Sequence, residues 1–265
     1  MKIKTRSFVT KSYLCISLLF LFAVSVSAQS IEELIIDADN YYKVFNNEKE
    51  LEVLQKAEKI DPNNWEVVWR ISRAYVDIGE KMPSSTSEQE DAQIAKYQQA
   101  LDYAEKAVKL GPDKSVSYLR RSIANGRIAL FKGVFTVAGV VNSVRDDAEK
   151  AIQLGNGGNF VQAVSHYVLA RAHAKTSEKW KPARAVLGLG WADNDTAIVE
   201  YKKAIQLYPT YIMFYVDYAN SLIREDQYEN ARTMLNKALT LEKQHQDDDK
   251  RKAEAKSLLK EIEDE

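Results

Sequence analysis

The side chains with the clearest chemical purpose in this sequence are cations set beside apolar residues. Arg73, Arg127, Arg171, Lys175 and Arg224 recur along the chain in company with Trp69, Leu119 and Tyr167. A guanidinium offers two parallel N–H donors that match a carboxylate or a phosphate. That chemistry captures an anion; it does not make or break bonds. The groups that could make bonds stand alone. His166 and His173 are seven residues apart and share a helix face, but no Cys, Asp or Glu stands at ligand spacing beside them. Two distant histidines are a weak metal set, and they read as core or groove-lining residues. His245 lies in a polar end. The sequence holds no Gly-x-x-x-x-Gly-Lys phosphate loop, no Gly-x-Ser-x-Gly elbow and no His-Glu-x-x-His zinc motif. Gly155-Asn156-Gly157-Gly158-Asn159 has no strand before it and reads as a turn. The expectation is a protein that is not an enzyme and uses no cofactor and no metal.

The elements that must position those cations are helices. The chain has 265 residues, 45% hydrophobic and 28% charged, with only ten glycines and five prolines. Ala, Leu, Glu and Lys dominate its periodic stretches, which favours an all-α fold. Residues 1–28 read as a secretory signal peptide: Lys2, Lys4, Arg6 and Lys11 precede an apolar run from Leu14 to Val26, and small residues end at Ala28. The run is short for a membrane span, at roughly 13 residues against the ~20 that a bilayer needs. Cleavage after Ala28 would place the chain in the periplasm or outside the cell; membrane association follows only if the segment stays. Cleavage also removes the single cysteine, Cys15, so no disulfide can brace the remainder. Loss of four cations takes the formal charge from −1 to −5, a poor match for nucleic acid.

Behind that segment a pattern repeats. An alanine followed about five residues later by a proline occurs at Ala57…Pro62, Ala107…Pro112 and Ala204…Pro209. The unit from Ile212 to His245 is 34 residues long and sets the register. Tyr215, Tyr218, Ala219 and Leu222 mark its first helix; Ala231, Leu235 and Ala238 mark its second. The small pair Ala219 and Ala231 sits where two helices of a hairpin cross closely. Further units begin at Ile31, Trp65, Ser115 and Ala163, the middle three stretched by insertions. Residues 247–265 read as a capping helix with a wet outer face, and Asp247-Asp248-Asp249 would suit the positive end of its dipole. The organisation is thus 1–28 signal peptide, 29–246 repeat domain and 247–265 cap.

These residues resemble the tetratricopeptide repeat (TPR) family, over roughly residues 31–245. The order Trp65…Trp69-Arg70-Ile71-Ser72-Arg73-Ala74 before a long insert, and His166 to His173 followed by Trp180 and Ala183-Arg184-Ala185, is similar to the regulator-of-microtubule-dynamics branch. The resemblance implies a TPR-like α-α superhelix, a solenoid of about five helix pairs with insertions and a C-terminal capping helix. It carries no cytoskeletal role to a secreted protein. It also implies that first helices line a concave side. On that basis the thirteenth positions of the units are Lys43, Asp77, Arg127, Lys175 and Arg224, the ninth include Arg73, Ile123 and Arg171, and the fifth include Trp69, Leu119 and Tyr167. The expected ligand-binding groove is therefore Lys43, Trp69, Arg73, Leu119, Arg127, Tyr167, Arg171, Lys175 and Arg224. Its expected ligand is a protein or peptide with acidic groups or a free C-terminal carboxylate.

The segment Gly133 to Val141 is apolar and β-branched among more polar helices. It reads as a buried helix extension packed under the array. The other reading is the wall of a pocket, near residues 133–144, for a lipid or another apolar anionic ligand, with Leu187-Gly188-Leu189-Gly190-Trp191 as a second, flexible lip.

Overall fold

A computed structural model describes residues 29–133 and 136–265. The expected signal peptide lies outside the described residues, as do Val134 and Phe135 of the apolar insert. The described residues form helices joined by turns, with no strand among them. They are α1 (Ile31–Lys43), α2 (Asn47–Ile60), α3 (Trp65–Lys81), α4 (Ser87–Leu110), α5 (Ser115–Lys132), α6 (Ala138–Leu154), α7 (Gly158–Ser177), α8 (Lys181–Val186), α9 (Asn194–Leu207), α10 (Ile212–Ile223), α11 (Tyr228–Thr240) and α12 (Asp248–Glu261). Five hairpins result: α1–α2, α3–α4, α5–α6, α7–α9 and α10–α11. Each second helix also packs on the next first helix, and α3, α5 and α7 pack side by side as an inner layer. The fold is the expected all-α solenoid of five pairs. The short α8 lies inside the fourth unit, and α12 covers α10 and α11.

Local sequence starts these helices where the register places them. Ser30 and Glu33 form a reciprocal capping box on α1. Asn46, Asn64, Thr86 and Asp193 accept backbone N–H groups at the starts of α2, α3, α4 and α9. The hairpins close on alanines: Ala38, Ala57, Ala219 and Ala231 have no exposed surface. Gly79 works in the same way between α3 and α4, because a Cβ there would stand 2.6 Å from the Tyr97 ring.

The first insertion became mostly helix. Pro83 to Thr86 is a short turn, and the helix-forming run from Ser87 extends α4 to 24 residues. The helices α3, α5 and α7 reach 17, 18 and 20 residues, against 13 for α1. Their added turns stand beyond the first hairpin and deepen the inner side. Of the described residues of the apolar insert, Val141 is buried on α6, while Gly133, Thr136 and Gly139 are exposed and helix begins only at Ala138.

The lip at Leu187–Trp191 is tied down at several points. Leu189 is fully buried with Ala129 and Val141. Trp191 Nε1 donates to Asn142 Oδ1 at 2.7 Å, and the Arg145 guanidinium lies 4.8 Å from its ring. His173 meets the same ring edge-on at 4.9 Å, and its Nδ1 accepts the N–H of Asp193.

The C-terminal region departs from a simple cap. Asp247 makes no side-chain cap on α12. Asp248 is buried and instead accepts the N–H groups of Gln244 and His245, each at 2.7 Å. This turns residues 241–247 into a strap that reaches the first hairpins. Gln246 accepts from Asn47 at 2.6 Å and donates to the carbonyl of Asp77 at 2.9 Å. The two ends of the array are therefore in contact.

His173 gives this packing a pH dependence. Burial pushes its pKa below the ordinary 6.5, despite the nearby Asp193 and Glu200 carboxylates. The depressed value means that the unfolded chain binds the proton more readily, so this stability is present above about 6.5 and is lost as pH falls below it. Denaturant melts between pH 7.5 and 5 should show stability falling on acidification, with the loss reduced in His173→Gln. An identical slope in both proteins would show that His173 is not the cause.

Candidate ligand-binding hollow

On the inner side, α3, α5 and α7 enclose a hollow of about 160 Å³, bounded also by Tyr42, Val141, Val144, Tyr211, Met213 and His245. Its walls are mainly apolar, with Val76, Ile123, Leu130, Val164 and Val168 among them. Four of the expected groove residues face it: Arg127, Tyr167, Arg171 and Lys175. The turns beyond the thirteenth position supply Glu80 on α3 and Leu130 on α5, so the longer first helices add to the wall.

Three of those four are held by neighbours. Arg127 pairs with Glu80. The Tyr167 hydroxyl donates to Asp217 Oδ2 at 2.6 Å and accepts from Arg171 Nη1 at 3.1 Å. Asp217 also faces Arg171 Nε and Arg251 Nη1, each at 3.4 Å. Burial would raise the Asp217 carboxyl, but Arg171 and Arg251 outweigh it and hold the group below its ordinary range. Lys175 is half exposed and reaches Glu178 at 2.9 Å, a surface pair with little energy.

The other five expected residues lie elsewhere. Lys43 is exposed at the end of α1 and reaches only Asn40. Arg73 is buried among Glu50, Asp39 and the Tyr42 ring, whose centroid is 3.7 Å away. Trp69 lies beside the guanidiniums of Arg70, Arg73 and Arg120, at 4.2, 5.2 and 5.6 Å from its ring centroid. Leu119 is a core residue, 1% exposed. Arg224 donates to the carbonyl of Ala174, to Asn194 Oδ1 and to Ser177 Oγ, and so closes the C-terminus of α7.

The misplacement of Leu119 has a geometric cause. Stepping by four along an α-helix rotates about 40° per step. The fifth, ninth and thirteenth positions therefore do not stay on one face. On α5 the residues that face the hollow include Arg120, Ile123, Arg127 and Leu130, spaced by three and four. Leu119 turns into the hairpin beside buried Ser122.

That phase correction exposes the residue that spacing by four missed. Arg120 lines the hollow, and its Nε is buried without a hydrogen-bond partner. No ion pair reaches it from any described residue. Its neighbour Arg121, by contrast, is bound twice by Asp147, at 2.8 and 2.7 Å. Burial, with repulsion from Arg73, pulls the Arg120 guanidinium below its ordinary pKa. His245 was also misplaced: the strap carries it from the expected polar end to the hollow, 3.9 Å from Glu80. His166 finds a carboxylate after all, with Nδ1 2.5 Å from Glu200 Oε2, but this pair lies outside the hollow.

The sequence model of the family described as Regulator of microtubule dynamics protein 1-3 matches residues 34–263. The chain belongs to this family. Two solved structures show the same fold. One is TTC0263, a thermophilic TPR protein of Thermus thermophilus, with TM-score 0.61 and 16% identity over 86% of this chain and all of that one. The other is pilF of Pseudomonas aeruginosa, with TM-score 0.53 and 14% identity over 88% and 91% of the two chains. No curated protein matches the sequence. In this member of the regulator-of-microtubule-dynamics family, the cations that line the hollow thus divide, among the described residues, into bound ones and one, Arg120, that no ion pair reaches.

Stability measurements should separate the two kinds. Arg73→Ala leaves the fully buried Glu50 without its partner and should cost about 3–5 kcal/mol. Arg120→Gln breaks no ion pair and should change stability by less than about 0.5 kcal/mol or raise it. Urea melts of both variants check this; a comparable loss in each would mean that Arg120 has a structural partner.

Proposed function

We propose that this protein is a non-enzymatic recognition module whose inner hollow takes an apolar group ending in an anion, presented by a protein or peptide partner. The observation that carries the reading is Arg120. A half-buried guanidinium that no protein ion pair or hydrogen bond satisfies is costly to leave unpartnered, and its natural complement is a carboxylate or phosphate brought by a ligand. The apolar walls around it suit an aliphatic or aromatic side chain next to that charge. Arg171 and Lys175 add positive potential at the same hollow, although both already have protein partners.

A second reading is a free lipid or similar apolar anion. It is supported by the wall of Leu130, Val141 and Val144. It is also supported by the strap, which brings His245 into the hollow and shortens the track left for an extended peptide.

The two readings are distinguished by what the purified protein holds and what it captures. Immobilised protein should retain acidic peptides with an apolar C-terminal residue, and retention should fall with salt. Arg120→Glu should weaken capture at least about tenfold. Organic extraction followed by mass spectrometry should release an acyl compound if the second reading holds. Failure of both assays, with the fold intact, removes the proposed function.

The reading places the protein in the periplasm or outside the cell, on the strength of the basic and then apolar segment before Ala28. The family's description refers to microtubule dynamics, and an exported chain would have no access to a cytoskeleton. Among the described residues no helix is long and apolar enough to cross a membrane. N-terminal sequencing of the protein from its native source should begin at Gln29; retention of Met1 would reverse the placement.

A further inference from the structure

We propose that Asp77, Glu80 and His245 form a binding site for a divalent transition-metal ion of the zinc class, which fastens the C-terminal strap to α3. One ligand atom from each residue lies within 4.8 Å of the others. No other trio of His, Cys, Asp or Glu comes so close among the described residues. Asp77 and Glu80 are one helical turn apart, so their carboxylates leave α3 on the same side. The strap delivers the imidazole from the far end of the chain.

Asp77 is the second, independent observation. It is only 8% exposed, yet its carboxylate takes no hydrogen bond and no ion pair from any described residue. A carboxylate so nearly buried and without a protein partner favours a proton or a cation, and Asp77 lines the hollow from which a cation could reach it. Glu80 divides its two oxygens. Oε1 faces Arg127, while Oε2 lies 3.2 Å from Gln246 Nε2 and 3.9 Å from His245 Nε2. Arg127 therefore orients the carboxylate from behind, as outer partners of metal ligands do, and leaves Oε2 to the ion.

The donor set selects the ion. An imidazole with two carboxylates suits zinc or manganese better than calcium or magnesium, which take oxygen ligands. Ligands on a tetrahedral ion stand about 3.4 Å apart, so the three side chains need only to draw together by rotation. All three line the hollow, which leaves a fourth position for water. Binding has one local cost: His245 Nδ1 accepts the N–H of Asp247 at 3.3 Å, and coordination through Nε2 moves the ring proton to Nδ1 and gives up that contact. The site does not depend on what Arg120 binds.

The test uses the tag-free protein as isolated from its native source, freed of metal by chelator and titrated with zinc chloride by calorimetry. The expected result is one ion per chain and a rise in the melting temperature. Asp77→Asn and His245→Gln should each weaken binding at least about tenfold, while His166→Gln should leave it unchanged. Circular dichroism in chelator establishes that each variant is folded; should Asp77→Asn not fold, His245→Gln decides by the same titration. Absence of stoichiometric binding, or binding undiminished in a folded Asp77 or His245 variant, overturns the proposal and leaves Asp77 holding a proton.

Discussion

Ala38, Ala57, Ala219 and Ala231 have no exposed surface, and the helices of their hairpins approach at these points. Larger side chains there would push the helix axes apart. The close approach fixes how far each hairpin stands from the next, because every second helix also packs on the following first helix. The curvature that gives the array an inner side follows from that repeated offset. With Cys15 as its single cysteine the chain can form no internal disulfide, so helix packing has to hold the stack together.

The inner side is then an electrostatic problem. First helices bring arginines inward, and most are neutralised by the protein itself. Glu50 and Asp39 hold Arg73; Asp217 holds Arg171 and Arg251; Glu80 holds Arg127. These pairs make the inner layer specific more than they make it stable, since burying both partners offsets much of the attraction. Arg120 and Asp77 fall outside this pairing. Both border the same hollow and have no close partner, so two unsatisfied polar groups stand among mainly apolar walls.

The insertions and the strap shape that hollow. Extra turns on α3, α5 and α7 raise its sides, and the Leu187–Trp191 segment buttresses α6 from outside through Leu189 and Trp191. The strap from Leu241 to Asp247 joins the last hairpin to the first, through Gln246 and Asn47. The strap therefore borders the hollow on one side, through His245.

The sequence by itself determined the helices, the hairpin pairing and the alanine crossings, because those depend on residues within one or two turns, where a period of 3.6 is legible. It also located Arg127, Tyr167, Arg171 and Lys175 on the inner side. Only the tertiary structure decided which cations were bound. Glu50 is distant from Arg73 in sequence, Asp217 from Arg171, and Ala174 from Arg224, so no spacing rule could pair them. Leu119 and Arg120 are adjacent, and a fixed step of four chose the wrong one because that step drifts around the helix. His245 reached the hollow through a strap whose path is set by Asp248, Gln246 and Asn47 together, an arrangement that exists only once the last hairpin and the first are folded against each other.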